Sequence, residues 1–63
     1  MKGYTAVYEP ATIGDEHGWS YEVRCGGRVV FEGWSRGKKR HAELEVRRGI
    51  DAREALRSAV GLA

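Results

Sequence analysis

The sequence predicts an α+β fold in which a three-stranded antiparallel sheet is followed by a C-terminal helix, in β-β-β-α order, over one domain spanning residues 1–63. Three observations predict it. Two runs of alternating aromatic and β-branched residues flank Gly26-Gly27, a third such run opens the chain, and the residues after Asp51 place apolar groups at helical spacing.

Tyr4 to Glu9 alternates Tyr4, Ala6 and Tyr8 with Thr5, Val7 and Glu9, and its composition favours a strand. Pro10 cannot donate to a ladder and is expected to end it. Residues 11–18, with two glycines and two acids, read as a loop. Trp19, Tyr21, Val23 and Cys25 then alternate with Ser20, Glu22 and Arg24, the clearest strand in the chain. The next run is Arg28 to Trp34. Both glycines between the runs can take the positive φ of a type I′ turn, so the pair is a β-hairpin.

Two registers compete for that hairpin. A two-residue loop sets Cys25 opposite Arg28, Val23 opposite Val30 and Trp19 opposite Trp34. That arrangement brings the tryptophans together and leaves Val29 and Phe31 on the face of Glu22 and Arg24. A slip of one residue instead sets Phe31 against Tyr21, with Val30, Glu32 and Trp34 pointing the other way. In either register large apolar side chains occupy the second face, and Val29, Phe31 and Trp34 are candidate protein-interaction residues.

Residues 36–48 fit two patterns. Their Lys, Arg, Glu, Ala and Leu content and the placing of Glu43 four residues before Arg47 favour a helix. The alternation of Ala42, Leu44 and Val46 with Glu43, Glu45 and Arg47 is strand-like. A strand over residues 40–47 would give four strands and one helix. Gly49 suits a helix end, and Asp51 with Glu54 three residues later forms a capping box, so a break near Gly49 is expected. Ala52, Ala55, Leu56, Ala59 and Val60 form an apolar stripe, with Arg53, Glu54, Arg57 and Ser58 facing outward.

Composition limits the function classes. Charged residues make up 32% of the chain and hydrophobic ones 41%, with two Trp, three Tyr and one Phe, which is too apolar and aromatic for a disordered tail. A domain this short buries only about 60% of the surface its unfolded chain exposes. With one cysteine there is no intramolecular disulfide, so a homodimer or a partner-supported fold is expected. No apolar run approaches a membrane span, and MKGYTAVYEP lacks a signal-peptide core, so no membrane partner and a cytoplasmic location are expected.

No enzyme is expected. The candidate nucleophile Cys25 and the candidate bases His17 and His41 lack a third orienting group, and Cys25 reads as a packed thiol. Asp15-Glu16 and Glu43/Glu45 read as solvated surface. No Cys/His cluster has metal-ligand spacing, so no metal, cofactor or small-molecule substrate is expected. Charge points elsewhere. Residues 1–32 carry a net −2 and residues 33–63 a net +4, concentrated in Arg36-Gly37-Lys38-Lys39-Arg40-His41. Cations that neutralise phosphates release counterions, and a helix N-terminus there would add to the attraction. Arg36, Lys38, Lys39 and Arg40 are therefore the candidate nucleic-acid-binding residues, supported by Arg24 and Arg28.

Two resemblances accompany this reading. Tyr4 to Ala11, a short loop and Gly18-Trp19 resemble the start of HicB-type antitoxins, which implies a degenerate double-stranded-RNA-binding-like fold that blocks an RNA-cleaving toxin. The run from Tyr21 through Gly26-Gly27 to Lys38, Lys39 and Glu43 is similar to the latter half of a double-stranded-RNA-binding domain. That likeness implies phosphate contacts by Lys38 and Lys39. The run from Trp19 to Glu43 also resembles the three-stranded arm-binding domains of phage integrases. The function expected is a nucleic-acid-binding accessory or regulatory module, to DNA or RNA backbone. The alternative is a protein-interaction module, an antitoxin-like inhibitor or a phage-type host-interaction protein, acting through an apolar sheet face.

Overall fold

A computed structural model describes residues 3–62, with side chains described through Ala59. Strands β1 (Tyr4–Ile13), β2 (Glu16–Cys25) and β3 (Arg28–Arg36) form an antiparallel sheet in the order β1-β2-β3, and helix α1 (Lys39–Leu62) follows. The expected β-β-β-α order is the one observed, and residues 39–48 are helical rather than a fourth strand.

The first strand is longer than its composition suggests. β1 runs through Pro10 to Ile13, with Pro10 opposite Trp19 and Ile13 opposite Glu16, so the expected loop over 11–18 shrinks to the Gly14-Asp15 turn. Pro10 is tolerated because β1 is an edge strand, where a missing N–H need not break a ladder. At the other hairpin, Gly26 and Gly27 have φ of 62° and 79°, the two consecutive positive values of a type I′ turn.

The two-residue-loop register holds only beside the turn, and a β-bulge then shifts the ladder in the direction opposite to the slipped candidate, so Phe31 never pairs with Tyr21. Cys25 pairs with Arg28 and Arg24 with Val29, as a two-residue loop requires. The ladder then shifts, so that Val23 pairs with Phe31, Tyr21 with Gly33 and Trp19 with Ser35. Val30 is the extra residue. A bulge puts two residues opposite one and reassigns every later side chain to the other face. Phe31 therefore turns toward the helix and not to the face of Glu22 and Arg24, which removes it from the candidate protein-interaction residues, and its ring meets Tyr21 edge-on at 6.5 Å between centroids. Trp19 and Trp34 fall on opposite faces.

The helix covers the face of Tyr4, Ala6, Tyr8, Tyr21, Val23 and Phe31. Val23, Ala42, Val46 and Ile50 are the buried apolar side chains, at 0–3% exposure. Ala42, Val46, Ile50 and Arg53 recur every three or four residues, the spacing of one helix face. Leu44 lies off that face and is exposed.

The break expected near Gly49 does not occur, and α1 runs through it without interruption. Gly49 is where Phe31 touches the helix: a Cβ there would lie 2.7 Å from Phe31 Cζ. The cap-like Asp51 and Glu54 sit inside the helix, and Tyr4 Oη donates to Glu54 Oε1 at 2.7 Å. Beyond that contact the helix passes the end of the sheet. Ala52, Ala55, Leu56 and Ala59 are exposed, while the Val60 side chain lies outside the described residues. The expected stripe is uncovered because it is rotated by roughly a quarter turn, at 100° per residue, from the stripe that meets the sheet.

Because Phe31 fills the space a Cβ would need, Gly49→Ala should lower stability by about 1–3 kcal/mol through overpacking. At an exposed helix position the same change would stabilise by up to about 1 kcal/mol. Urea denaturation checks the sign, and pairing Gly49→Ala with Phe31→Leu should recover part of the loss.

Candidate nucleic-acid interface

Four of the six candidate phosphate contacts gather where β3 passes into α1. As the chain leaves β3, Gly37 donates its N–H to the His17 carbonyl at 2.9 Å, tying the connection to the start of β2. The Lys38 N–H then donates to His41 Nδ1 at 3.2 Å, and the His41 N–H to the Lys38 carbonyl at 2.9 Å. His41 thus reaches back to the residue before the helix, the role a Glu or Gln plays in a capping box. The cap is an imidazole nitrogen acting as acceptor, not a carboxylate. No acid lies in the first turn, so the positive end of the helix dipole is not cancelled there.

The cations around that helix start differ in freedom. Arg36 Nη1 lies 3.2 Å from Glu16 Oε2, an exposed ion pair of the kind worth about 0–1 kcal/mol and readily exchanged for phosphate. Lys39 Nζ sits 5.4 Å from the Tyr8 ring centroid and 5.8 Å from that of Trp19. These cation–π contacts hold it against the sheet. Lys38 and Arg40 are exposed. The two supporting residues are elsewhere. Arg24 lies near the far end of the sheet with its Nε 2.7 Å from Glu22 Oε1, and Arg28 opens β3 beside the Gly26-Gly27 turn. At about 3.3 Å per residue, the eight steps from Arg28 to Arg36 put the two groups roughly 26 Å apart. They do not form one patch.

Two arginines not singled out from the sequence join the first group. Arg47 and Arg48 are exposed, and they follow Arg40 by seven and eight residues. That spacing puts all three on the solvent side of α1. It was hidden because residues 36–48 also satisfied strand alternation.

Acids flank this surface and mark the opposite face of the sheet. Burial first, and Glu43 second, raise the Tyr8 phenol above its usual value, while burial and then Glu45 raise that of Tyr21. The uncovered sheet face carries Val7, Glu9, Ser20, Glu22, Glu32 and Trp34 around a shallow depression of about 580 Å³. Glu22 and Glu32 pair directly across β2 and β3. Trp34 lies flat against Gly18 and donates its indole N–H to the Ala11 carbonyl at 2.9 Å. Of the candidate protein-interaction residues, Val29 and Trp34 are on this face, together with Val7 and Ile13, whereas Phe31 is not.

The candidate catalytic pairs are not assembled. Cys25 ends β2, and His17, which shares a 3.1 Å contact with Thr12 Oγ1, begins it. His41 is at the helix start. Among the described residues no group of three or more His, Cys, Asp or Glu is placed to hold a metal ion, and no helix is long and apolar enough to cross a membrane. Comparison with known families, curated proteins and solved structures finds no match for this chain.

The raised phenols make stability sensitive to alkaline pH. A raised pKa in the folded state means the contribution is complete below the unfolded value of about 10 and is lost as pH rises through the folded value. Spectrophotometric titration should therefore show phenols ionising above the ordinary range, with stability falling from about pH 10 upward. In Glu43→Gln the Tyr8 transition should move down only part of the way, because burial is the larger cause.

Proposed function

We propose that this chain is a non-enzymatic module that binds nucleic-acid backbone through the start of α1. The observation that carries the proposal is the helix N-terminus itself. It is capped by His41 rather than an acid, and Arg36, Lys38, Lys39 and Arg40 surround it, with Arg47 and Arg48 continuing along the outer side. Backbone N–H groups at a helix start, together with clustered cations, suit phosphate oxygens. Base reading is secondary, because Tyr8, Trp19 and Tyr21 are occupied beneath the helix. Arg24 and Arg28 belong to the opposite end of the sheet and are not part of this contact. Carboxylates on the uncovered sheet face repel a polyanion, which favours an approach from the helix side. An accessory or regulatory role in the cytoplasm fits a module of this size, and the resemblance to the latter half of a double-stranded-RNA-binding domain agrees with lysines at that helix start.

A second reading rests on the other face. Val7 and Trp34 border the depression together with Glu9, Glu22 and Glu32, while Ile13 and Val29, 59% and 46% exposed, lie toward the two ends of the same face. Exposed apolar side chains interspersed with carboxylates suit a basic protein partner, as in an antitoxin-like inhibitor or a phage-type host-interaction protein, or a second copy of the chain.

Fluorescence anisotropy with labelled duplex DNA, duplex RNA and single strands separates these readings. Affinity should fall steeply with salt, and changing Lys38, Lys39 and Arg40 together to Ala should abolish binding at moderate ionic strength. Each single change among Lys38, Arg40, Arg47 and Arg48 should reduce the logarithmic salt slope by about 1. Absence of binding at low salt, with a salt-tolerant dimer or protein complex that buries Trp34, would favour the second reading.

A further inference from the structure

We propose that the end of the molecule opposite the helix start holds a single phosphate-type oxyanion between Arg28 and Arg53. This goes beyond the backbone contact proposed above and does not depend on it. The site is a cleft of about 440 Å³ between the β2–β3 turn and α1, lined by Cys25, Arg28, Val29, Val30 and Arg53. Its two charged side chains are both cations.

The decisive observation is Arg53. Its Nε is buried and has no hydrogen-bond acceptor among the described residues. A buried donor left unpaired carries the full cost of its desolvation, and a charged one more than most. The acids that could serve it are engaged or turned away. Glu54, the next residue, accepts from Tyr4 Oη at 2.7 Å and lies 3.9 Å from Arg57 Nη1. Glu22 is held by Arg24 at 2.7 Å on the other face of the sheet. The cleft thus holds a half-buried guanidinium whose Nε is unpartnered, a second guanidinium, and no carboxylate among its lining residues.

A guanidinium presents its N–H groups as a planar fork that matches two oxygens of one oxyanion. A tetrahedral phosphate gives two oxygens to Arg53 and retains two for Arg28. A planar carboxylate has only two. Val29 and Val30, at the bulge, supply the apolar part of the lining.

Thermal denaturation tests this with inorganic phosphate as the probe, against sodium chloride at equal ionic strength. A ligand that binds only the folded state raises the midpoint with its concentration. Phosphate should raise the wild-type Tm saturably above the chloride control. Arg28→Gln, at an exposed position, should weaken the response at least tenfold in phosphate concentration. Arg53→Met should abolish it while raising the Tm measured in chloride, because the unpaired buried donor is gone. The variant with Lys38, Lys39 and Arg40 all changed to Ala should keep the full phosphate response, which separates this site from the backbone contact. No phosphate effect beyond chloride in the wild type would overturn the proposal. An equal effect of acetate would overturn its assignment to phosphate, and an undiminished response in Arg53→Met would overturn its location.

Discussion

The arrangement of this small domain depends on one contact, the ring of Phe31 against the helix backbone at Gly49. The sheet presents mostly tyrosines and small side chains to the helix, so one projecting ring decides how closely the two can approach. Glycine supplies the space. The bulge at Val30 puts Phe31 on that side, and without the shift it would project from the opposite face, leaving Val30 in its place. With Phe31 in position, Val23, Val46 and Ile50 close around it. The helix axis is then set, and with it the positions of Lys39 over Tyr8 and Trp19 at one end and Arg53 above the hairpin turn at the other.

The same constraint divides the surface by charge. Turning Phe31 inward turns Trp34 outward, over Gly18, among Glu9, Glu22 and Glu32. On that face carboxylates and exposed apolar side chains alternate. The helix side begins with a cluster of cations around an end capped by imidazole, and Arg47 and Arg48 extend it. A polyanion and a basic protein partner would therefore meet different faces. In a domain whose fully buried apolar side chains are so few, this separation comes from strand register more than from composition.

Much of the fold was legible in the sequence because local chemistry and final structure agree. Gly26-Gly27 made the hairpin turn, the alternation around it made the strands, and the Lys/Arg/Glu-rich segment made the helix despite its strand-like alternation. Other features were hidden where a local signal had a second meaning. Gly49, Asp51 and Glu54 imitate a helix end and restart, yet Gly49 makes room for the ring of Phe31, eighteen residues earlier in the sequence. The hairpin matches the two-residue-loop register only as far as Val29, and the bulge at Val30 then gives a pairing that neither candidate contained, with Phe31 opposite Val23. Of the candidate site, the basic run and its place at a helix start were legible. The remoteness of Arg24 and Arg28, the contribution of Arg47 and Arg48, and the burial of Arg53 required the helix to be placed on the sheet.

The most direct test of the central claim is an amide and indole NMR titration of the labelled protein with a short unlabelled duplex. The helix-start assignment predicts shifts concentrated at Gly37 to His41 and along Arg47 and Arg48, with the Trp34 indole N–H unmoved in its bond to Ala11. Shifts centred on Trp34, Val7 and Glu32, with the helix start silent, would contradict it.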